Sequence, residues 1–137
     1  MTSSDYLLRQ FDLLGRVMGK ILAKLPGLKE QGDLTEGIRG GMQTLKDELD
    51  LDIDSLLEMP ADQVVQYLID EKHFSEHNLE QLSDILLIAA DNSLAESREG
   101  YRNRLNERIV AILEYLEESG STFSLERHHM IMHLKSR

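Results

Sequence analysis

Apolar residues recur along this chain at spacings of three and four, the period of a helix that buries one face. The first such stripe is Leu7, Phe11, Leu14, Met18, Ile21 and Leu25. Leu8 and Leu22 widen it while Arg9, Arg16, Lys20 and Lys24 lie off it, so the spacing predicts a helix over Ser4 to Leu25. Pro26-Gly27 should end that helix, because proline disfavours helical geometry in the residue before it. A second stripe, Leu34, Ile38, Met42, Leu45 and Leu49, predicts a helix over Leu34 to Leu49. Gly15 and Gly19 interrupt the first stretch, and Gly37, Gly40 and Gly41 the second. Each glycine costs about 1 kcal/mol relative to alanine in a helix interior. The expected compensation is an antiparallel pair packed closely through Gly15, Gly19, Gly37 and Gly41.

The turn between the two stripes is Gly32-Asp33-Leu34-Thr35-Glu36-Gly37-Ile38. Gly32 can adopt the left-handed conformation that ends a helix, having no Cβ to clash. Asp33 offers a carboxylate to the free N–H groups of the next helix, with Glu36 placed to complete a capping box. Further on, a turn is expected at Asp54 to Glu58, then a helix from Pro60 to about Lys72, with Pro60 in the first helical position. Ser75 should cap the next helix, Phe74 and Leu79 forming a hydrophobic staple across it. That helix should bury Leu79, Leu82, Leu86 and Ala89, with Ile85 and Ile88 beside them. The polar run Asp91 to Gly100 breaks the pattern, which resumes with Tyr101, Leu105, Ile109, Ile112 and Leu116 and stops at Gly120. Ser124 can cap a last helix, Leu125 to about Lys135. No segment combines sustained alternation with β-branched enrichment, so no strand is predicted. The expected fold is all-α, a single-domain bundle of six to seven helices over residues 1–137, built from antiparallel hairpins.

Composition agrees with a packed domain. The 137 residues are 41% hydrophobic and 29% charged, with aromatics at 5% and no Cys or Trp, so Leu, Ile, Val and Met must build the core. The absence of Cys rules out disulfides and thiolate chemistry and suits a cytoplasmic protein. The start, Met1-Thr2-Ser3-Ser4-Asp5-Tyr6, carries no basic segment of the kind that opens a signal peptide. The longest apolar run, Ile85 to Ala90, is far short of the ~20 residues that cross a bilayer. No membrane association is expected. Net charge is −10, unevenly spread: residues 1–30 hold five Lys/Arg against three Asp/Glu, 31–97 hold three against sixteen, and 98–137 seven against six. The acidic middle would repel a phosphate backbone, so nucleic acid is not an expected partner.

Gly32-Asp33-Leu34-x-Glu36-x-Ile38 followed by Leu45 resembles the second half of a tetratricopeptide unit. Gly37 stands where that pattern has Ala and Gly41 where it has an aromatic, and no second clean copy follows. The amino-terminal stretch Asp5-Tyr6-Leu7-Leu8-Arg9-Gln10, Leu14-Gly15 and Ile21-Leu22 is similar to small bacterial helical proteins with tetratricopeptide-like helices. The resemblance implies a helical fold and no particular activity.

Constellations that carry chemistry are sparse. Asp50-x-Asp52-x-Asp54 opens like a calcium loop, but Ser55 and Ala61 occupy the positions where an EF-hand needs its turn glycine and bidentate glutamate. His73 and His77 flank the Ser75 cap. Glu126, His129 and His133 share one side of the predicted last helix and could ligate a divalent metal, although no His-Glu-x-x-His motif is present. There is no Gly-x-Ser-x-Gly elbow and no phosphate-cradling loop. Arg98, Arg102, Arg104 and Arg108, interleaved with Glu99 and Glu107, read as a salt-bridged helix surface. The reading that follows is a non-enzymatic helical protein-interaction module without a cofactor. The alternative is a divalent-metal-binding protein using the Glu126, His129 and His133 cluster. The last helix offers the expected protein contact, Met130, Ile131, Met132 and Leu134. Met130, Ile131 and Leu134 lie together, and Met132 and Leu125 on another side, a surface too wide for one buried stripe. A two-fold homodimer is the simplest partner.

Overall fold

The computed structural model describes residues 3–92, 99–120 and 124–136, with side chains from residue 13 onward. Seven helices appear among the described residues, and no strand: α1 Ser3–Glu30, α2 Leu34–Leu49, α3 Ile53–Glu58, α4 Ala61–Asp70, α5 Glu76–Ala90, α6 Tyr101–Ser119 and α7 Leu125–Lys135. The fold is all-α, as the periodicity predicts. Four helices form a row, α2 against α1, α1 against α5 and α5 against α6, while α4 and α7 both lean on α6 and α3 touches its side. One continuous core of leucine, isoleucine and valine runs through the row, joined by Met18, Phe74 and Tyr101.

The first helix is longer than expected. It passes through Pro26 and ends only at Glu30. Proline removes one backbone donor, but Leu25 is buried and Leu28 packs against the core, so tertiary contact holds the last turns. The true stop is Gly32, at φ +79°. There Asp33 N donates to Leu28 O at 2.8 Å and Gly32 N to Lys29 O at 3.2 Å, the pair of bonds of a Schellman motif. Asp33 then stands at the N-cap of α2, but its side chain makes no capping bond, and Glu36 pairs with Arg39 at 2.7 Å instead. The expected capping box is therefore replaced by backbone closure of the preceding helix.

Elsewhere the local signals match, except that the turn expected at Asp54 to Glu58 is a short helix, α3, started by the Asp52 cap. Ser75 and Asn78 form a reciprocal capping box at the start of α5, with Phe74 and Leu79 both buried beside it. Ser124 accepts from Arg127 N at the start of α7. Pro60 sits at the N-cap of α4, one place before the expected first helical position. The acidic triplet is used for capping: Asp50 ends α2 in the left-handed region at φ 51°, and Asp52 caps α3 by accepting from Asp54 N. Lys72 reaches both the carbonyl and the carboxylate of Asp50.

The glycines divide between two interfaces. A Cβ at Gly41 would lie 2.9 Å from Ile21 Cγ2, and one at Gly37 would lie 2.5 Å from Leu28 Cδ1, so these two set the approach of α2 to α1. The pairing of 41 with 21 and 37 with 28 makes the hairpin antiparallel, as expected. Gly15 and Gly19 instead face α5, where Asn78 and Gln81 are their nearest neighbours. The expectation that all four glycines serve one crossing is corrected: the first pair admits the polar side chains of α5, and Gln81 Nε2 donates to Gly15 O at 3.1 Å.

Arg108 departs from the surface reading of the arginine run. It is buried, and its guanidinium donates to Leu57 O at 3.0 Å and Met59 O at 2.6 Å. These carbonyls lie at the C-terminal end of α3, where a helix leaves acceptors unpaired and favours a cation. Arg102 likewise turns inward, donating to Ala90 O at 2.7 Å and closing the α5–α6 hairpin. Arg98 lies outside the described residues.

Two outcomes follow for unfolding experiments. Gly40→Ala, where a Cβ meets nothing within 4 Å, should stabilise by about 0.5–1 kcal/mol through helix propensity, whereas Gly41→Ala should destabilise through its clash with Ile21; equal and same-signed shifts in urea midpoint would refute this division. Arg108→Ala should cost about 2–3 kcal/mol by stripping one buried and one partly buried carbonyl of a charged donor, and Arg108→Lys should not restore it, since an ammonium lacks the fork.

Candidate functional site

An open groove of about 590 Å³ runs between α1 and α2 on their outer side. Its position follows from the helix pattern. The buried stripe of α1 faces α5 and the core, while Val17, Ile21 and Leu25 turn far enough toward α2 to form the groove floor. On α2, Gly37, Gly40, Gly41 and Thr44 make a low wall with almost no side-chain relief. Leu13, 38% exposed, lies at one end and Leu28 at the other. Fifteen residues separate them, so the groove spans roughly 22 Å of helix at 1.5 Å per residue.

The α1 rim is cationic. Arg16, Lys20 and Lys24 recur every fourth residue and are exposed along the groove. Among the described residues none of the three forms an ion pair, although Arg39, Lys72, Arg108, Arg127 and Lys135 all do. Glu48, on the opposite wall, is the single acidic residue of the lining. The sequence pattern placed these cations merely off the apolar stripe. Their spacing of four, inside the one block of net positive charge that precedes the acidic middle, was the available signal.

The residues expected to contact a partner are split by the fold. Ile131 and Leu134 are buried in the chain's own core, and Met130 is half-buried against it. Met132 is 58% exposed and Leu125 57% exposed. These two are seven residues apart and share one outward face of α7, so the uncovered apolar surface there is Leu125 and Met132 with the edge of Met130. The helix is pinned to its neighbours by polar pairs: Arg127 to Glu80 at 3.0 Å, His128 to Glu117 at 3.4 Å and Lys135 to Glu114 at 3.3 Å.

Glu126, His129 and His133 all lie on the exposed part of α7 without converging, and among the described residues no group of three His, Asp or Glu is placed to hold a metal ion. His73 sits in a left-handed turn at φ 59°, and His77 in the first turn of α5 on the other side of the Ser75 cap. No helix of the described residues is long and apolar enough to cross a membrane. A second groove, about 620 Å³, opens between α4, α6 and α7 and carries Asp62, Glu107 and Glu114, the last two already paired with Arg108 and Lys135. No known protein family, curated protein or solved structure matches the chain.

Among the described residues, one carboxyl group departs from ordinary behaviour. Asp84, in the cleft where α5 meets α7, has its pKa pushed up by burial and further by the neighbouring Glu80. A raised carboxyl pKa means the folded state holds the proton more tightly than the unfolded chain. Stability is therefore lost as pH rises from the ordinary value of 3.8 through the folded value. Asp84→Asn should raise the melting temperature at pH 7 modestly, because part of Asp84 remains in water. The gain should vanish below pH 3.8; a difference that persists undiminished in acid would show that the effect is not one of ionisation.

Proposed function

We propose that this chain is a non-enzymatic helical module that binds another protein, and that the α1–α2 groove is its docking surface. The observation that carries this reading is the groove itself: an apolar floor bounded by three unpaired cations and a glycine wall, which no described element of the chain covers. Grooves between packed helices are a recurring place for a partner helix to lie. The antiparallel α1–α2 hairpin, with its Gly32 turn, supports the likeness to a tetratricopeptide-like unit, a fold unit whose use is to present such a surface. No constellation of nucleophile, base and oxyanion donors competes with this reading among the described residues.

A second reading, self-association through α7, is favoured by the Leu125 and Met132 pair on one outward face. Methionine adapts readily to a partner surface. Cutting the chain at Gly120 would remove Ile131 and Leu134 from the core, so the informative change is Leu125→Glu with Met132→Glu. Light scattering at micromolar concentration should then show a dimer converted to a monomer; a wild-type chain already monomeric there removes the self-association reading.

The docking reading is tested by photo-crosslinking in the cell of origin. A photoreactive residue at position 40, inside the groove, should capture a discrete protein, and one at position 118, exposed on α6, should not. Equal capture at both, or none at position 40, would overturn the groove as the docking surface.

A further inference from the structure

We infer that the α1–α2 groove receives an acidic amphipathic helix of a partner protein, a reading that rests on the groove being a docking surface. Three observations converge on that ligand. The groove is elongated and bounded by two antiparallel helices, so a third helix of about four turns matches its length. Its floor is apolar, which calls for an apolar stripe on the ligand. Its α1 rim presents Arg16, Lys20 and Lys24 one turn apart, unpaired among the described residues, so acidic residues at the same spacing on one flank of the ligand would meet them in register. In a chain whose acids outnumber its bases by twenty-five to fifteen, a row of unpaired cations beside an apolar floor is a concentrated complement to negative charge.

Gly40 leaves room for a close approach. It lies inside α2, where glycine weakens the helix, yet a Cβ there would meet nothing within 4 Å. Packing within the chain explains Gly37 and Gly41 but not Gly40. A helix laid in the groove would bring its backbone against this position and give the missing side chain a use. The anchoring is one-sided: the α2 wall carries Glu48 and Thr44 rather than cations, so the acidic flank of the ligand faces α1. A membrane of anionic lipid shares the charge preference, but the apolar floor is recessed rather than protruding, and the net charge of −10 opposes an anionic surface.

The test uses the full chain and three labelled helical peptides of about 16 residues, the length of the groove, with one apolar face and a flank of glutamates, glutamines or lysines. Fluorescence anisotropy at low salt should show binding in the order glutamate, glutamine, lysine, with the glutamate peptide weakened severalfold by raising salt to about 0.5 M. Gly40→Trp, which fills open space and keeps the fold, should abolish binding. Lys20→Glu with Lys24→Glu, both exposed, should reverse the preference toward the lysine peptide. Equal binding of the three peptides, abolished by Gly40→Trp, would overturn the acidic ligand while leaving the docking groove standing. Failure of every peptide to bind also overturns the inference, and crosslinking at position 40 then decides the docking reading separately. Sedimentation with phosphatidylserine vesicles that depends on Lys20 and Lys24, without glutamate-peptide binding, would replace the partner helix by a lipid surface.

Discussion

The burial of α5 on two sides is the constraint from which the rest of the arrangement follows. This helix lies between α1 and α6, and it carries polar residues, Asn78, Gln81 and Ser83, into that interior along with its leucines and isoleucines. A buried amide without a partner is costly, so each must be answered locally or across the interface. Asn78 is tied into the Ser75 cap, Ser83 donates to Glu80 O, and Gln81 donates to the backbone carbonyl of Gly15. That last bond is available because Gly15 and Gly19 leave the α1 surface bare where Gln81 arrives. The α1–α5 seam thus joins a hydrogen bond to its apolar packing, and it fixes which face of α1 remains for α2.

Once α1 is oriented by α5, the α1–α2 hairpin closes on a different set of residues. Gly37 and Gly41 let Leu28 and Ile21 press against the α2 backbone. The close approach on one side leaves the cationic row and the low α2 wall on the other, and the groove is their geometric consequence. At the opposite end of the row, buried Arg108 donates to the helix-end carbonyls of Leu57 and Met59, tying α6 to α3 as Gln81 ties α5 to α1. Two of the polar groups buried at helix seams, Gln81 and Arg108, thus position one element against the next.

Much of the fold was legible in the chain. The existence of every helix but the short α3, the α2 bounds, the Ser75 and Ser124 caps, the Gly32 turn and the stripe from Tyr101 to Leu116 all rest on local chemistry: period, capping hydroxyls and a left-handed glycine. These depend on residues within one or two turns of each other, so a linear reading contains them. The contact residues of α7 were only partly legible, because an apolar residue on a helix reads the same whether it covers its own core, as Ile131 and Leu134 do, or faces outward, as Met132 does.

What the tertiary structure alone decided were matters of partner and depth. Pro26 reads as a stop because its missing N–H is a local fact, while the burial of Leu25 that carries α1 past it is not. Arg108 reads as surface because a cation among acids is normally solvated, and only the arrival of the α3 carbonyls makes burial favourable. Gly15 and Gly41 look alike in sequence, yet one faces an amide and the other an isoleucine from different helices. Local periodicity specifies which face of a helix is apolar; which neighbour meets that face, and what is left uncovered between two neighbours, depends on distances between residues far apart in the chain.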